Sequence, residues 1–401
     1  MEFLFNTLFT LGCAVLVMFM AAGFTMLEAG TVRSKSVAVI CTKNVALYAV
    51  AGIMFYLVGY QLMYGSSFMG LAGEFSPWFG DDQAALAGQT TGGVASGASW
   101  FFQMVFVATA ASVTSGTLAE RVRFWSFVGF VVVLTGFIYP VVGHWTWGGG
   151  WLAELGFKDF AGSTIVHSLG GWAALAGAIL LGPRSGRFAV GGQPIAIPPS
   201  SLPLVTLGTF VLWFGWFGFN GGSQLAFAGA ADAVAVADIL VNTNIAAAGG
   251  VVTMMLVSQL RYRRLDLPLI LNGALAGLVA ITAEPLTPNP GQAMIIGAVG
   301  SLFMLVGCRV LDRFRIDDVV GAVPVHLFAG IWGTLAVTLT NDSATMAAQV
   351  AGVAAIGAFV FILSLVCWAV FRHVAGLRLH PEHENSGGDL AEVGIRAYNL
   401  S

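Results

Sequence analysis

Long apolar stretches alternate with short polar breaks along the whole chain, and most of the stretches are too long for strands or ordinary core helices. About 20 residues of helix cross the roughly 30 Å of hydrocarbon in a bilayer. Eleven stretches approach that length, at 3–27, 40–65, 99–118, 124–142, 163–181, 202–219, 236–260, 268–283, 291–311, 320–340 and 345–372. The eighth is the shortest and predicts a tilted or partly interfacial helix. The pattern therefore predicts an all-α polytopic membrane protein with eleven transmembrane helices. Residues 1–372 form the membrane domain, and residues 373–401 form a polar tail that cannot span.

Composition agrees with the pattern: 57% of the 401 residues are hydrophobic, 9% are charged, and the mean hydropathy is +0.84. Charge adds an orientation, because cytoplasmic loops collect Lys and Arg. Arg33, Lys35 and Lys43 follow the first stretch, Arg121 and Arg123 the third, and Arg184 and Arg187 the fifth. Arg261, Arg263 and Arg264 follow the seventh, Arg309, Arg313 and Arg315 close the ninth, and Arg372, Arg378 and Arg396 follow the eleventh. Only Lys158 falls on the opposite side, which predicts an outer N-terminus and a cytoplasmic C-terminus in the cell membrane. The first stretch lacks the basic start and small-residue cleavage site of a signal peptide, so it reads as a span. Cys13, Cys41, Cys308 and Cys367 lie in or near spans without metal-type spacing and read as core thiols.

Two segments share one skeleton. In DFAGSTIVH, Asp159 is followed by Gly162, Val166 and His167; in DVVGAVPVH, Asp318 is followed by Gly321, Val325 and His326. They sit on the fifth and tenth spans, so the first and second sets of five read as an inverted repeat, about 1–190 and 200–342, with a peripheral eleventh helix. Such repeats place their site near mid-membrane. Each Asp is positioned to begin a helix, and each His lies about 12 Å further along the axis. Descending from opposite faces, the two histidines are expected to meet near the midplane. Buried ionisable groups in membranes are costly and usually functional. A metal or haem reading lacks further ligands at that depth, so no cofactor is expected.

Aromatic residues gather at the outer ends of several spans. WFFQMVF supplies Phe102 and Phe106, HWTWGGGW supplies Trp147, and WFGWFGFNGGS supplies Phe219 and Ser223. Many such rings belong to an interfacial belt, but the glycine runs beside Trp147 and Ser223 suggest a vestibule. Ring faces with one hydroxyl suit a small cation, attracted by about 2 kcal/mol when desolvated.

These segments, with LAERVRF, WGGG, LVNTN and the tail HPEHENSGGDLAEVGIRAYNL, run in the order of the ammonium transporter family (Amt/Mep/Rh). The chain resembles its Amt branch over nearly its whole length. The resemblance implies that Trp147, Phe106 and Ser223, with Phe102 nearby, recruit ammonium at the outer face. Phe106 and Phe219 correspond to a stacked gate, and His167 and His326 to a twin-histidine pair lining a hydrophobic pore. Asp159 matches a buried aspartate that organises the outer site more than it binds substrate directly. The resemblance also implies a homotrimer and, often, regulation by a cytosolic PII signalling protein. One departure is the MLEAG segment, where Leu27 and Glu28 replace an aromatic pair; Glu28 reads first as a helix-end charge facing the cytoplasm, with a pore-lining role as the alternative.

A dry pore opposes any ion. Ammonium, unlike potassium, can shed a proton and continue as ammonia. The expected function is therefore an ammonium transporter that selects the cation outside and passes ammonia between the histidines, which offer a relay for the proton. The alternative is an ammonium sensor, the membrane module of a longer chain with a fused signalling domain, since the pore residues fit both and the ending AYNLS suits either. No nucleophile elbow, P-loop or zincin motif is present, so an enzyme is not expected, and no basic patch suggests a nucleic acid.

Overall fold

The computed structural model describes residues 1–90 and 92–398, so the tail residues 399–401 lie outside the described residues. It is helical throughout, with only isolated bridges of strand type among the described residues. Among the described residues, nine helices are long and apolar enough to cross a membrane: α1 (Glu2–Thr31), α2 (Ser34–Tyr64), α3 (Ser96–Thr117), α4 (Phe124–Trp145), α5 (Ser163–Leu181), α6 (Leu202–Gly222), α7 (Ala230–Tyr262), α9 (Pro290–Arg313) and α11 (Met346–Val374). Two shorter apolar helices, α8 (Leu267–Ile281) and α10 (Val323–Leu339), occupy the eighth and tenth expected places.

Local sequence sets several starts. Ser201, Asp266, Asn289 and Thr345 cap α6, α8, α9 and α11 with side-chain oxygens, each accepting an N–H that the helix cannot satisfy itself. At α9 the cap is reciprocal, because Gln292 Oε1 accepts from Asn289 N at 2.9 Å.

The packing of the first five helices recurs in the next five. α1 meets α2 and α3, α2 meets α3 and α4, and α3 meets α5; likewise α6 meets α7 and α8, α7 meets α8 and α9, and α8 meets α10. The two sets join along α1 and α6, where backbone nearly touches backbone. A Cβ on Gly208 would lie 2.7 Å from the Gly23 carbonyl oxygen, and one on Gly23 would lie 3.1 Å from that of Gly208. Small residues permit this approach in a membrane, where packing rather than water drives helix association. α11 lies outside the repeat against α5 and α4 and is the least buried of the long helices.

One end of the bundle gathers charge. Arg184 donates to Glu120 Oε1 at 2.7 Å and to both Asp317 oxygens at 2.8 and 3.0 Å, and Arg33 joins Glu120. Arg121, fully buried, donates to the carbonyls of Gly182 and Asp317 at 2.8 and 2.6 Å. The tail docks on this end through three carboxylates that accept backbone N–H groups: Asp389 from Val39, Glu392 from Phe124 and Glu384 from Ser185. His380 and His383 remain exposed.

Glu28 is fully buried, so it is not a charge facing the cytoplasm. Lys43, counted among the basic residues after the first span, is inside α2 and 2% exposed. His144 is also fully buried, with its ring nitrogens 2.9 Å from the Met63 carbonyl and 2.8 Å from Ser67 Oγ.

Burial pushes the Asp317 carboxyl up, but hydrogen bonds from Arg184 and the charges of Arg121 and Arg184 outweigh it and hold the group at about 2. Asp317→Asn is therefore expected to cost about 3–5 kcal/mol by stranding buried guanidinium groups, seen as a lower apparent Tm in detergent. Because the folded value lies below the ordinary 3.8, the gap between wild type and variant is full above that ordinary value and shrinks as pH falls toward 2. A gap that stays constant across that window would contradict this account.

Candidate functional site

The two copies of the Asp–Gly–His skeleton fold alike. Asp159 Oδ1 accepts from the backbone N–H of Gly162 and Ser163 at 3.1 and 2.8 Å, and Oδ2 accepts from Thr164 and Ile165 at 2.8 and 2.9 Å. Asp318 accepts from Gly321 and Val323 at 3.0 and 2.7 Å. Gly162 and Gly321 take φ of +110° and +80°, a region that disfavours a side chain. Each then leads into a π-helical turn, Ser163–Ser168 and Val323–Phe328, that carries the histidine. Such turns re-aim side chains and recur at functional sites.

The repeat extends one residue further than the sequence reading recognised. Gly171 and Gly330 each lie four residues, about one turn, beyond their histidine. A Cβ on Gly171 would come within 2.7 Å of Leu327 Cβ, and one on Gly330 within 2.5 Å of the Ser163 carbonyl oxygen. With those side chains absent, α5 and α10 touch and the imidazoles meet. His167 Nδ1 and His326 Nδ1 are 3.2 Å apart, with rings inclined by 20°. If both rings are neutral, one Nδ1 donates and the other accepts, so the two hold opposite tautomers.

Above the pair, Phe219 and Phe106 stack at 3.9 Å between centroids, and the Phe219 ring lies 5.3 Å from that of His167. Trp216, one turn before Phe219, stacks on His167 at 4.9 Å and is held by a hydrogen bond from Nε1 to Thr282 Oγ1. In the chain the signal for Trp216 is its helical spacing to Phe219 within WFGWFGF, one aromatic among many there.

Outside the stacked rings is a cavity of about 190 Å3 lined by Phe102, Phe106, Trp147 and Ser223, as expected, and also by Tyr64, Gln103, Phe160 and Leu225. Phe106 meets Trp147 edge to face at 6.1 Å and Phe102 at 4.7 Å. Ser223 Oγ donates to the Phe219 carbonyl at 2.9 Å, which leaves its lone pairs available as acceptors. Gln103 Oε1 is buried without a partner, a polar contribution that the aromatic signal concealed.

Asp159, expected to organise the outer site more than to bind substrate directly, does not line this cavity. Its carboxylate is engaged by four backbone N–H groups, and its own carbonyl accepts the Trp147 indole N–H at 2.9 Å. It positions the vestibule from behind. No cluster of three or more His, Cys, Asp or Glu side chains suited to a metal ion occurs among the described residues.

The profile of the Ammonium Transporter Family matches residues 8–398. The chain is 42% identical to the ammonium transporter Amt2 of Archaeoglobus fulgidus, over 96% of this chain and 86% of that one. It is 41% identical to a putative ammonium transporter of Synechocystis, over 97% and 88% of the two chains. Among solved structures, one described as a sensor Amt protein superposes with a TM-score of 0.91 at 35% identity, covering 98% of this chain and 99% of that one. Mep2 of Candida albicans superposes with a TM-score of 0.84 at 27% identity, covering 98% and 90%. With its helical repeat, paired imidazoles and aromatic vestibule in one line, the chain belongs to the ammonium transporter family.

Proposed function

We infer that this protein is an ammonium transporter of a cellular membrane, and that the histidine pair is its conducting element. The observation that carries the reading is the 3.2 Å contact between His167 and His326 directly behind the stacked Phe106 and Phe219. Ammonium is recruited among Trp147, Phe106 and Ser223, with Phe102 packed behind Phe106. Moving an unpaired ion past the phenyl rings costs several kcal/mol. Shedding the proton removes that cost for ammonium and leaves it in place for potassium. Neutral ammonia then exchanges hydrogen bonds with the two imidazoles, and the shared Nδ1 contact offers the proton a route. Only bonds to a transferred proton break and re-form, so the protein acts as a transporter rather than an enzyme.

The tail end, with its collected Arg and Lys residues, is assigned to the cytoplasm by the same charge rule that orients other polytopic chains, and the N-terminus to the outside. A homotrimer, with a cytosolic PII protein acting at the inner face, is part of the same reading, and the family resemblance supports it. The second reading, a sensor, draws on the likeness to the sensor Amt protein; it predicts ammonium binding without flux.

In liposomes, an ammonium jump is expected to give a saturable transient current that potassium does not. His167→Ala and His326→Ala should each lower it by about 100-fold, the scale of a lost positioned proton carrier, or admit potassium, with the protein still folded. Wild-type current and selectivity in both variants would overturn the relay. Trp147→Leu should raise the half-saturating ammonium concentration by about tenfold, the loss of a cation–π contact of roughly 1–2 kcal/mol, without abolishing the current. An unchanged concentration dependence would remove Trp147 from recruitment. Binding with neither current nor ammonia flux in the wild type would select the sensor.

A further inference from the structure

Beyond His326 the passage enters a small chamber whose volume open to the centre of a water-sized molecule is about 10 Å3, enough for about one such molecule. His326 and Glu28 both line it, with Phe24, Ser112 and Asn272. Leu27, Asn272, Val320 and Gly321 are shared with a wider vestibule of about 570 Å3. The chamber thus lies between His326 and that opening.

Glu28 is fully buried and Lys43 is 2% exposed. Ser115 Oγ donates to Glu28 Oε2 at 2.8 Å. Lys43 Nζ stands 3.7 Å from the same oxygen, too far for a hydrogen bond. It donates instead to the Ser115 carbonyl at 2.8 Å and lies 4.9 Å from the centre of the Phe127 ring. Lys43 therefore balances the charge without occupying the carboxylate. Glu28 Oε1 has no hydrogen-bond partner within 3.5 Å; the Asn44 amide is near enough for a longer, weaker interaction with the carboxylate, and its bond at ordinary distance goes to the Ile40 carbonyl at 3.1 Å. A pin that merely joined α1, α2 and α3 would be expected to satisfy both oxygens, because an orphaned buried acceptor costs about 1–3 kcal/mol or more.

We propose that Glu28 is the group on the inner side of the histidine pair that takes up the relayed proton and returns it to ammonia. This rests on the transport reading above. The proton shed in the outer vestibule passes along His167 and His326 and adds to Glu28 Oε1, giving the neutral acid. Ammonia entering the chamber takes that proton; the O–H bond breaks with its electron pair left on oxygen, and an N–H bond forms. Ammonium leaves through the inner vestibule and Glu28 is again a carboxylate. One proton and one ammonia enter and one ammonium departs, while Lys43 keeps its charge.

The test uses the full chain in liposomes with two readouts: the current after an ammonium jump, and ammonia entry followed by an internal pH dye. Glu28→Gln with Lys43→Met removes both charges together and leaves no stranded ammonium group. Its current is expected to fall about tenfold or more, with a clearly smaller fall in ammonia entry. Glu28→Asp, which keeps an acid beside Lys43, should carry more current than the double variant. Wild-type current in the double variant, an equal loss of both signals, or an Asp variant no better than the double variant would each overturn the proposal. A wild type lacking both signals would overturn the transport reading itself, so the two failures are distinguishable.

Discussion

The close contact of α5 with α10 is the constraint on which the rest of the site depends. Two glycines, one turn past each histidine, let these helices approach until backbone and side chain touch. A methyl group at either position would force them apart, and the 3.2 Å contact between imidazoles has no slack to absorb such a shift. The π turns set the direction of each ring, and the aspartates hold the starts of those turns through backbone N–H groups. The site is therefore made twice from one local device, and closing it requires only that the two copies meet.

Around that contact the protein sorts its charges by depth. Guanidinium and carboxylate groups are paired and hydrogen-bonded at the tail end, where Arg184 alone bridges Glu120 and Asp317. Buried pairs of this kind contribute little when intact and are costly to break, so the network favours one arrangement of the loops after α3, α5 and α9. The three tail carboxylates that accept N–H groups make the tail part of the same clasp. Next to the histidines the lining is aromatic and aliphatic, which leaves the imidazoles as the polar groups a small molecule meets between the stacked phenyl rings and the chamber.

Glu28 and Lys43 depart from that sorting. They sit on the tail side of the histidines as a buried pair whose attraction acts at 3.7 Å and whose carboxylate Oε1 has no hydrogen-bond partner within 3.5 Å. The aromatic vestibule shows a related asymmetry on a smaller scale, with Gln103 Oε1 buried and unpartnered among rings. Both are polar atoms without a protein partner in places where a small hydrogen-bonding solute would pass.

Much of this was legible in the chain. Apolar length located the helices because hydrocarbon thickness fixes how many residues a span needs, and α8 and α10 came out short where their apolar runs were short or interrupted. The Asp–Gly–His skeleton was visible because its chemistry is local: a carboxylate, a turn that needs glycine and a ring a fixed number of residues on. What the sequence could not carry was anything set by contact between distant segments. Gly171 and Gly330 read as ordinary membrane glycines until α5 met α10. Trp216 was one aromatic among many until it lay on His167. Asp159 could be counted near the outer site, but only the folded chain decided that its carboxylate faces backbone and not the vestibule. Glu28 read as a charge at a helix end because its pairing with Lys43 and Ser115 spans α1, α2 and α3, and a one-dimensional pattern holds no record of which buried charges share a neighbour.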